Sequence, residues 1–274
     1  MGKFDHVVIV SDIDGTFLNR EKQIVPRNLA ALESFVREGG RFTFASGRVP
    51  LNMVRTMSAA LPYVNAPAIL CNGCCLYDLT RMQEVEAYYP NCAVIKDIQR
   101  LCSVRYPALG FRVSMPDGML VERINAPIVG DLAKFLDVTT VLPVDDWPER
   151  PYYKAVARGE WALLEALRAE IEERWPGYLA LSYSECEFLE MLHAGCSKGV
   201  LLGRLREYCT VDGIKPTVYA VGDYENDYEM LLAADVAVCP TNAMPMIREI
   251  CQLSPASNDE GVIAALIETL AAMS

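Results

Sequence analysis

The sequence predicts an α/β protein with a doubly wound, mostly parallel, Rossmann-like sheet core and an inserted α+β domain. Short apolar runs alternate with amphipathic helices at the start of the chain, and this alternation is typical of a parallel sheet covered by helices. The alternation stops at about Glu84 and resumes at Phe188. The expected domains are therefore a core made of residues 1–83 and 188–274, and an inserted domain of residues 84–187.

The first strand and helix show the alternation most clearly. The run HVVIV is apolar throughout after its histidine, as expected for a parallel strand that is buried on both faces. The next segment, residues 26–40, begins with a proline, ends with two glycines and carries one apolar helical stripe, formed by Leu29, Leu32, Phe35 and Val36. RFTFAS and AILC predict two further strands. Because ligands bind at the carboxyl ends of parallel strands, Asp12 and Ser46 fall where a site is expected.

The middle of the chain mixes short strands with helices. FRVSM, MLVERI and YYKAVA predict strands, and EWALLEALRAEIEERW predicts an amphipathic helix. From Phe188 the predicted order is strand FLEML, helix KGVLLGRLREYC, strand TVYAVGD, helix ENDYEMLLAA, strand DVAVC and a closing helix. This order predicts that both ends of the chain build the same sheet.

Composition limits the possible functions. The chain has 274 residues and a net charge of −11, which argues against a nucleic-acid partner. No signal peptide is evident and no apolar run reaches the ~18 residues of a membrane span. We therefore expect a cytoplasmic protein without a membrane or obligate protein partner. The cysteine cluster CNGCC lacks the second paired motif of a zinc site, so we expect it to pack in the core.

Four short motifs follow predicted strands or begin predicted helices. They are DIDGT from Asp12, ASGR from Ala45, GCSKG around Lys198, and GDYEND from Gly222. Two aspartates one residue apart repel each other unless a positive charge lies between them. A glycine turn and a lysine at a helix N-terminus both favour an anion such as phosphate. Together the motifs indicate a site for a cation and a phosphate.

These four motifs, in this order and spacing, resemble the haloacid dehalogenase superfamily of phosphotransferases. The large insertion and the LCNG sequence after the third strand are similar to the Cof-type sugar-phosphate phosphatases. The resemblance implies a Mg²⁺-dependent phosphatase that hydrolyses small phosphate monoesters, such as sugar phosphates or related metabolites, through an aspartyl-phosphate. It also implies that the inserted domain is a cap. No motif in the insertion matches the family, so the resemblance indicates no substrate-reading residue.

The resemblance also implies a role for each matching residue. Asp12 would be the nucleophile and a Mg²⁺ ligand, and Asp14 the general acid and base, with its backbone carbonyl on the metal. Asp223 would complete the metal ligands, and Asp227 would support them from outside. The residues that would hold the phosphoryl group are Ile13 through its N–H, Ser46, Gly47, Lys198 and Asn226.

Other interpretations of the residues remain open. A phosphomutase of the same superfamily would return the phosphoryl group instead of giving it to water. A signalling receiver also carries a phosphorylated aspartate beside Mg²⁺, but a receiver is about half this length. His193 is expected to be structural, and Arg48 to position a helix rather than to touch substrate.

Overall fold

The computed structural model describes residues 2–133, 135–185 and 187–273. In chain order, its strands are β1 (Val7–Ser11), β2 (Arg41–Phe44), β3 (Ala68–Leu70), β4 (Cys75–Asp78), β5 (Gln83–Ala87), β6 (Gly110–Met115), β7 (Gly118–Val121), β8 (Thr139–Val141), β9 (Lys154–Arg158), β10 (Leu179–Glu185), β11 (Phe188–His193), β12 (Thr217–Val221) and β13 (Val236–Val238). Its α-helices are α1 (Pro26–Arg37), α2 (Pro50–Thr56), α3 (Cys92–Arg105), α4 (Ala126–Leu132), α5 (Trp161–Arg174), α6 (Lys198–Tyr208), α7 (Tyr228–Ala233), α8 (Pro245–Ile250) and α9 (Val262–Met273). Among these helices, none is both long enough and apolar enough to cross a membrane.

Two compact units make up the described chain. The first contains the residues up to Ala87 and those from Ser197 onward, and the second is Tyr88–Cys196. The predicted limits of the inserted domain were Glu84 and Glu187. The difference arises because β5 pairs with β4 in the first unit, whereas β11 pairs with β9 and β10 in the second.

The first unit is built on a parallel sheet with the strand order β13-β12-β1-β2. Central strand β1 is apolar on both faces, and Val8, Ile9 and Val10 are fully buried. Helix α1 packs against α9, and α6 packs against α7. Beyond β2, Ala45 forms a parallel bridge to Ile69 of β3. This sheet confirms the predicted fold class.

The LCNG sequence joins β3 to the antiparallel strands β4 and β5 through a tight turn. Cys71 and Asn72 both have left-handed backbone conformations, with φ of 55° and 53°. Such angles are uncommon for residues with a side chain, and two in succession indicate a turn held by its surroundings. The turn is buried together with the rest of the cysteine cluster.

The second unit contains a sheet with the strand order β10-β11-β9-β6-β7-β8. Its apolar core combines residues of α3, α5 and the sheet, including Ile95, Ile98, Leu164 and Leu167. Strand β11, predicted for the core sheet, is antiparallel to β9 here. A short apolar run reveals a strand but not its partners, which explains this error.

Candidate active site

Asp12 lies at the carboxyl end of the central strand of the first unit. Its backbone N–H donates to the carbonyl of Val221 at 2.8 Å, which fixes the end of β1 beside the end of β12. The chain then turns, and the N–H of Leu18 closes the turn on the carbonyl of Ile13 at 2.9 Å. The buried side chain of Asp12 is therefore held at the carboxyl end of β1, the position at which we expected a site.

Lys198 is buried between two carboxylates. Its Nζ lies 2.6 Å from Oδ1 of Asp12 and 2.6 Å from Oδ1 of Asp227. Burial alone would lower the pKa of Lys198, but the two carboxylates outweigh it and raise that pKa above its ordinary value. Burial, and then Asp227, raise the pKa of Asp12 well above its usual range, although Lys198 opposes both. The single ammonium of Lys198 thus pairs with two carboxylates, so the cluster keeps an excess of negative charge.

Asp223 follows the neighbouring strand β12 and lies beside the turn after Asp12. Its Oδ1 accepts a hydrogen bond from the Thr16 hydroxyl at 2.5 Å. A Cβ atom added to Gly15, whose φ is +89°, would lie 2.3 Å from Oδ2 of Asp223. Only glycine permits this close approach. Burial, followed by repulsion from Asp227, raises the pKa of Asp223 to about 7.

Asp227 organises the turn that carries Asp223. Its Oδ2 accepts the backbone N–H groups of Asp223 at 3.0 Å and Tyr224 at 3.2 Å, while Oδ1 accepts from Lys198. Because both of its oxygens already accept hydrogen bonds, Asp227 is suited to hold the other groups in place.

The acidic groups fit a divalent cation. One carboxylate oxygen from each of Asp12, Asp223 and Asp227 lies within 4.8 Å of the others. Three ionised carboxylates, two of them buried and that of Asp223 half-buried, leave two negative charges against one lysine, which a divalent cation would balance. Within the described residues, no hydrogen bond uses Oδ2 of Asp12 or of Asp223. These oxygen donors match the ligand preference of Mg²⁺.

A turn that leaves a backbone N–H group without a partner among the described residues, that of Gly47, lies at the end of β2. The N–H of Ala45 donates to the carbonyl of Ser11 at 2.9 Å, so Ser46 and Asp12 follow adjacent strand ends. Across the described chain, neither Ile13 nor Gly47 donates a backbone hydrogen bond through its N–H. Unpaired N–H groups at strand ends are suited to bind phosphate oxygens.

Asn72 connects this turn to the last motif, a role that was not predicted when LCNG was recognised. Its Oδ1 accepts from Nδ2 of Asn226 at 3.2 Å. A Cβ atom on Gly47 would lie 3.0 Å from the same Oδ1, so Asn72 lies directly against Gly47. The Ser46 hydroxyl oxygen accepts the N–H of Arg48 at 3.2 Å. The N–H of Asn72 also donates to the backbone carbonyl of Ser46 at 3.0 Å, so an asparagine in a left-handed conformation adjoins three predicted phosphate-binding residues, Ser46, Gly47 and Asn226.

Arg48 contacts Asp14, a pairing that the sequence did not reveal. Nη2 of Arg48 lies 2.8 Å and Nε 3.2 Å from Oδ2 of Asp14, and Nη1 donates to the Thr56 hydroxyl at the end of α2. Arg48 thus touches helix α2, as expected, but also the predicted general acid. Nζ of Lys22 lies 3.3 Å from Asp14. Burial would raise the pKa of Asp14, but Arg48 and then Lys22 outweigh it and lower that pKa.

His193 belongs to the second unit, at the end of β11. Its ring centroid lies 5.7 Å from that of Tyr88, and its Nδ1 lies 3.8 Å from the sulfur of Cys196. Among the described residues, the cluster that could hold a metal ion consists of Asp12, Asp223 and Asp227 and does not include His193.

A match to a known protein family accompanies this fold and these acids at the strand ends. Residues 9–267 match the haloacid dehalogenase-like hydrolase family. The chain belongs to this family.

Several known proteins are similar to this chain. A Haemophilus influenzae protein with a provisional phosphatase name is 25% identical over 268 residues, which are 95% of this chain and 96% of that protein. An HMP-PP phosphatase of Yersinia pseudotuberculosis is 27% identical over 244 residues, 87% of this chain and 85% of that enzyme. The crystal structure of a haloacid dehalogenase-like hydrolase from Bacteroides thetaiotaomicron has a TM-score of 0.84 at 22% identity, covering 97% of this chain and 99% of that one. That structural likeness shows the fold.

Proposed function

We propose that this phosphatase hydrolyses small phosphate monoesters, such as sugar phosphates, with Mg²⁺ and through an aspartyl-phosphate on Asp12. The contact of Lys198 with both Asp12 and Asp227 carries the proposal. A buried ammonium 2.6 Å from a carboxylate oxygen fixes the direction of that carboxylate and supplies positive charge where a phosphoryl dianion must approach.

Asp12 attacks phosphorus, forms an oxygen–phosphorus bond and displaces the alcohol oxygen of the ester. The N–H groups of Ile13 and Gly47, the Ser46 hydroxyl and the Asn226 amide bind the phosphoryl oxygens, and Lys198 offsets their charge. Asp12, Asp223 and the carbonyl of Asp14 would hold Mg²⁺. When bound, the cation neutralises the repulsion between the carboxylate and the phosphoryl group.

Asp14 gives a proton to the departing oxygen and later takes one from the water that hydrolyses the aspartyl-phosphate. Arg48 and Lys22 contact the carboxylate of Asp14 and lower its pKa, so Asp14 takes up the proton that it donates only when the phosphoryl dianion is bound beside it. General acid–base assistance of this kind contributes roughly 10²–10⁴-fold in rate.

A phosphate-release screen tests the proposed function. The panel contains sugar phosphates, other phosphorylated metabolites and HMP-PP, each with Mg²⁺ and with EDTA. We expect Mg²⁺-dependent release of inorganic phosphate by the wild type and none by Asp12→Asn. An isomerised ester without free phosphate would instead show a phosphomutase, and release that survives EDTA would contradict the metal role.

A further inference from the structure

Three asparagine side chains hold the loop that follows Asp14. Each donates its amide hydrogen to a different backbone carbonyl of the loop, and the three come from separate segments of the first unit. The pairs are Asn242 with Gly15 at 2.9 Å, Asn28 with Phe17 at 3.4 Å, and Asn258 with Leu18 at 2.9 Å.

Two of the three side chains, those of Asn242 and Asn28, also accept hydrogen bonds through Oδ1, which ties them to the C-terminal part of the chain. Oδ1 of Asn242 accepts the N–H of Asn258 at 2.9 Å. Oδ1 of Asn28 accepts the N–H of Ala264 in the first turn of α9 at 3.0 Å. Asn28 and Asn258 are buried, whereas Asn242 is exposed. At Asn242 and Asn28 the side-chain amide both donates and accepts, so a residue that lacks either capacity would lose one of the two hydrogen bonds.

The Gly15 carbonyl is the most informative of the three, because Gly15 separates two parts of the site. Asp14 precedes it directly. On its other side, the backbone of Gly15 lies so close to Asp223 that no Cβ would fit. A hydrogen bond to the Gly15 carbonyl therefore limits the movement of both Asp14 and Asp223.

We propose that Asn242 is a positioning residue of the phosphatase site. Its amide, held by Asn258, keeps the Gly15 peptide in the orientation that directs Asp14 to the leaving group. This inference rests on the proposed role of Asp14 as general acid and base. Because Asn242 is exposed, its replacement affects the orientation of the loop more than the stability of the fold.

Asn65 offers a matched control. Its Nδ2 donates to the carbonyl of Gly40 at 3.0 Å, and its Oδ1 accepts the N–H of Phe42 at 2.8 Å. This is the same pair of bonds that Asn242 makes, but it lies at the amino end of β2. The carboxyl ends of the strands carry the site, so Asn65 is remote from it.

The experiment compares Asn242→Ala and Asn242→Asp with Asn65→Ala and Asn65→Asp on two esters. An alkyl phosphate needs a proton on its leaving group, whereas p-nitrophenyl phosphate does not. We expect the Asn242 variants to lose about tenfold in kcat on the alkyl ester and less than about threefold on the nitrophenyl ester, because a displaced general acid affects mainly the first. KM should change little, and the Asn65 variants should keep both rates.

Equal losses on both esters, or no loss, would overturn the assignment of Asn242. Asp14→Asn, measured in parallel, separates this outcome from a failure of the proposed function. If Asp14→Asn shows the ester preference and the Asn242 variants do not, only the assignment of Asn242 is wrong. If Asp14→Asn also lacks the preference, Asp14 is not the general acid and both proposals fail.

Discussion

Replacing Lys198 by methionine removes one charge and keeps an unbranched side chain of similar length. In the wild type, Nζ lies 2.6 Å from both Asp12 and Asp227, and the side chain is 0% exposed. Lys198→Met leaves these two carboxylates facing each other without a cation. Removing one partner of a buried pair costs about 3–5 kcal/mol of stability. Loss of a charge that stabilises the transition state costs about 3 kcal/mol, or about 10²-fold in rate.

Lys154→Met is the matched control. Nζ of Lys154 lies 2.7 Å from Glu190 in the second unit, and both side chains are 5% exposed. We expect both variants to lower Tm, but only Lys198→Met to lower kcat/KM for p-nitrophenyl phosphate by about 10²-fold, measured well below both Tm values. Equal losses in kcat/KM for the two variants would refute the role of Lys198 as the charge that faces the phosphoryl group.

Three further outcomes concern the metal site. Mg²⁺ should support phosphate release and Ca²⁺ should inhibit it, because the larger ion takes more ligands than near-octahedral geometry allows; a titration of rate against each ion tests this. Because the pKa of Asp223 is raised to about 7, the metal-free folded protein retains a proton that the unfolded chain releases near its ordinary value. The stability of the metal-free protein therefore falls as pH rises from the ordinary pKa of an aspartate to about 7. Mg²⁺ should raise Tm more at about pH 8 than at about pH 5, where protons compete with the ion for Asp223. Equal Tm shifts at the two pH values in scanning fluorimetry would contradict this. Gly15→Ala should lower Mg²⁺ affinity in calorimetry, since its Cβ would displace Asp223; unchanged affinity would show that Asp223 is not a ligand.

The sequence was sufficient to predict the parallel sheet and the acids at its strand ends. Because Asp12 and Asp223 follow the ends of two parallel strands by one and two residues, both side chains lie at one edge of the sheet. Lys198 was predictable for a different reason: it begins a helix, and a helix N-terminus attracts anions.

Contacts between distant segments were not predictable from one sequence. Asn72 and Asn226 form a hydrogen bond although they are 154 positions apart in the sequence, and hydrophobic periodicity does not predict contacts at such a separation. The pairing of Arg48 with Asp14 depends on where the turn after β2 directs a long side chain. The amide bond of Asn242 to Gly15 spans 227 positions. Such contacts follow from how the loops are packed, which local pattern does not determine.

The identity of the nucleophile is tested most directly by trapping the phosphorylated enzyme. Asp14→Asn keeps the backbone carbonyl proposed for Mg²⁺ but lacks the carboxylate that would activate water. With p-nitrophenyl phosphate and Mg²⁺, a phosphate adduct should accumulate, and mass spectrometry of the quenched, digested protein should locate it on the peptide that contains Asp12. The double variant Asp12→Asn with Asp14→Asn should carry none. An adduct on any other residue would exclude Asp12 as the nucleophile.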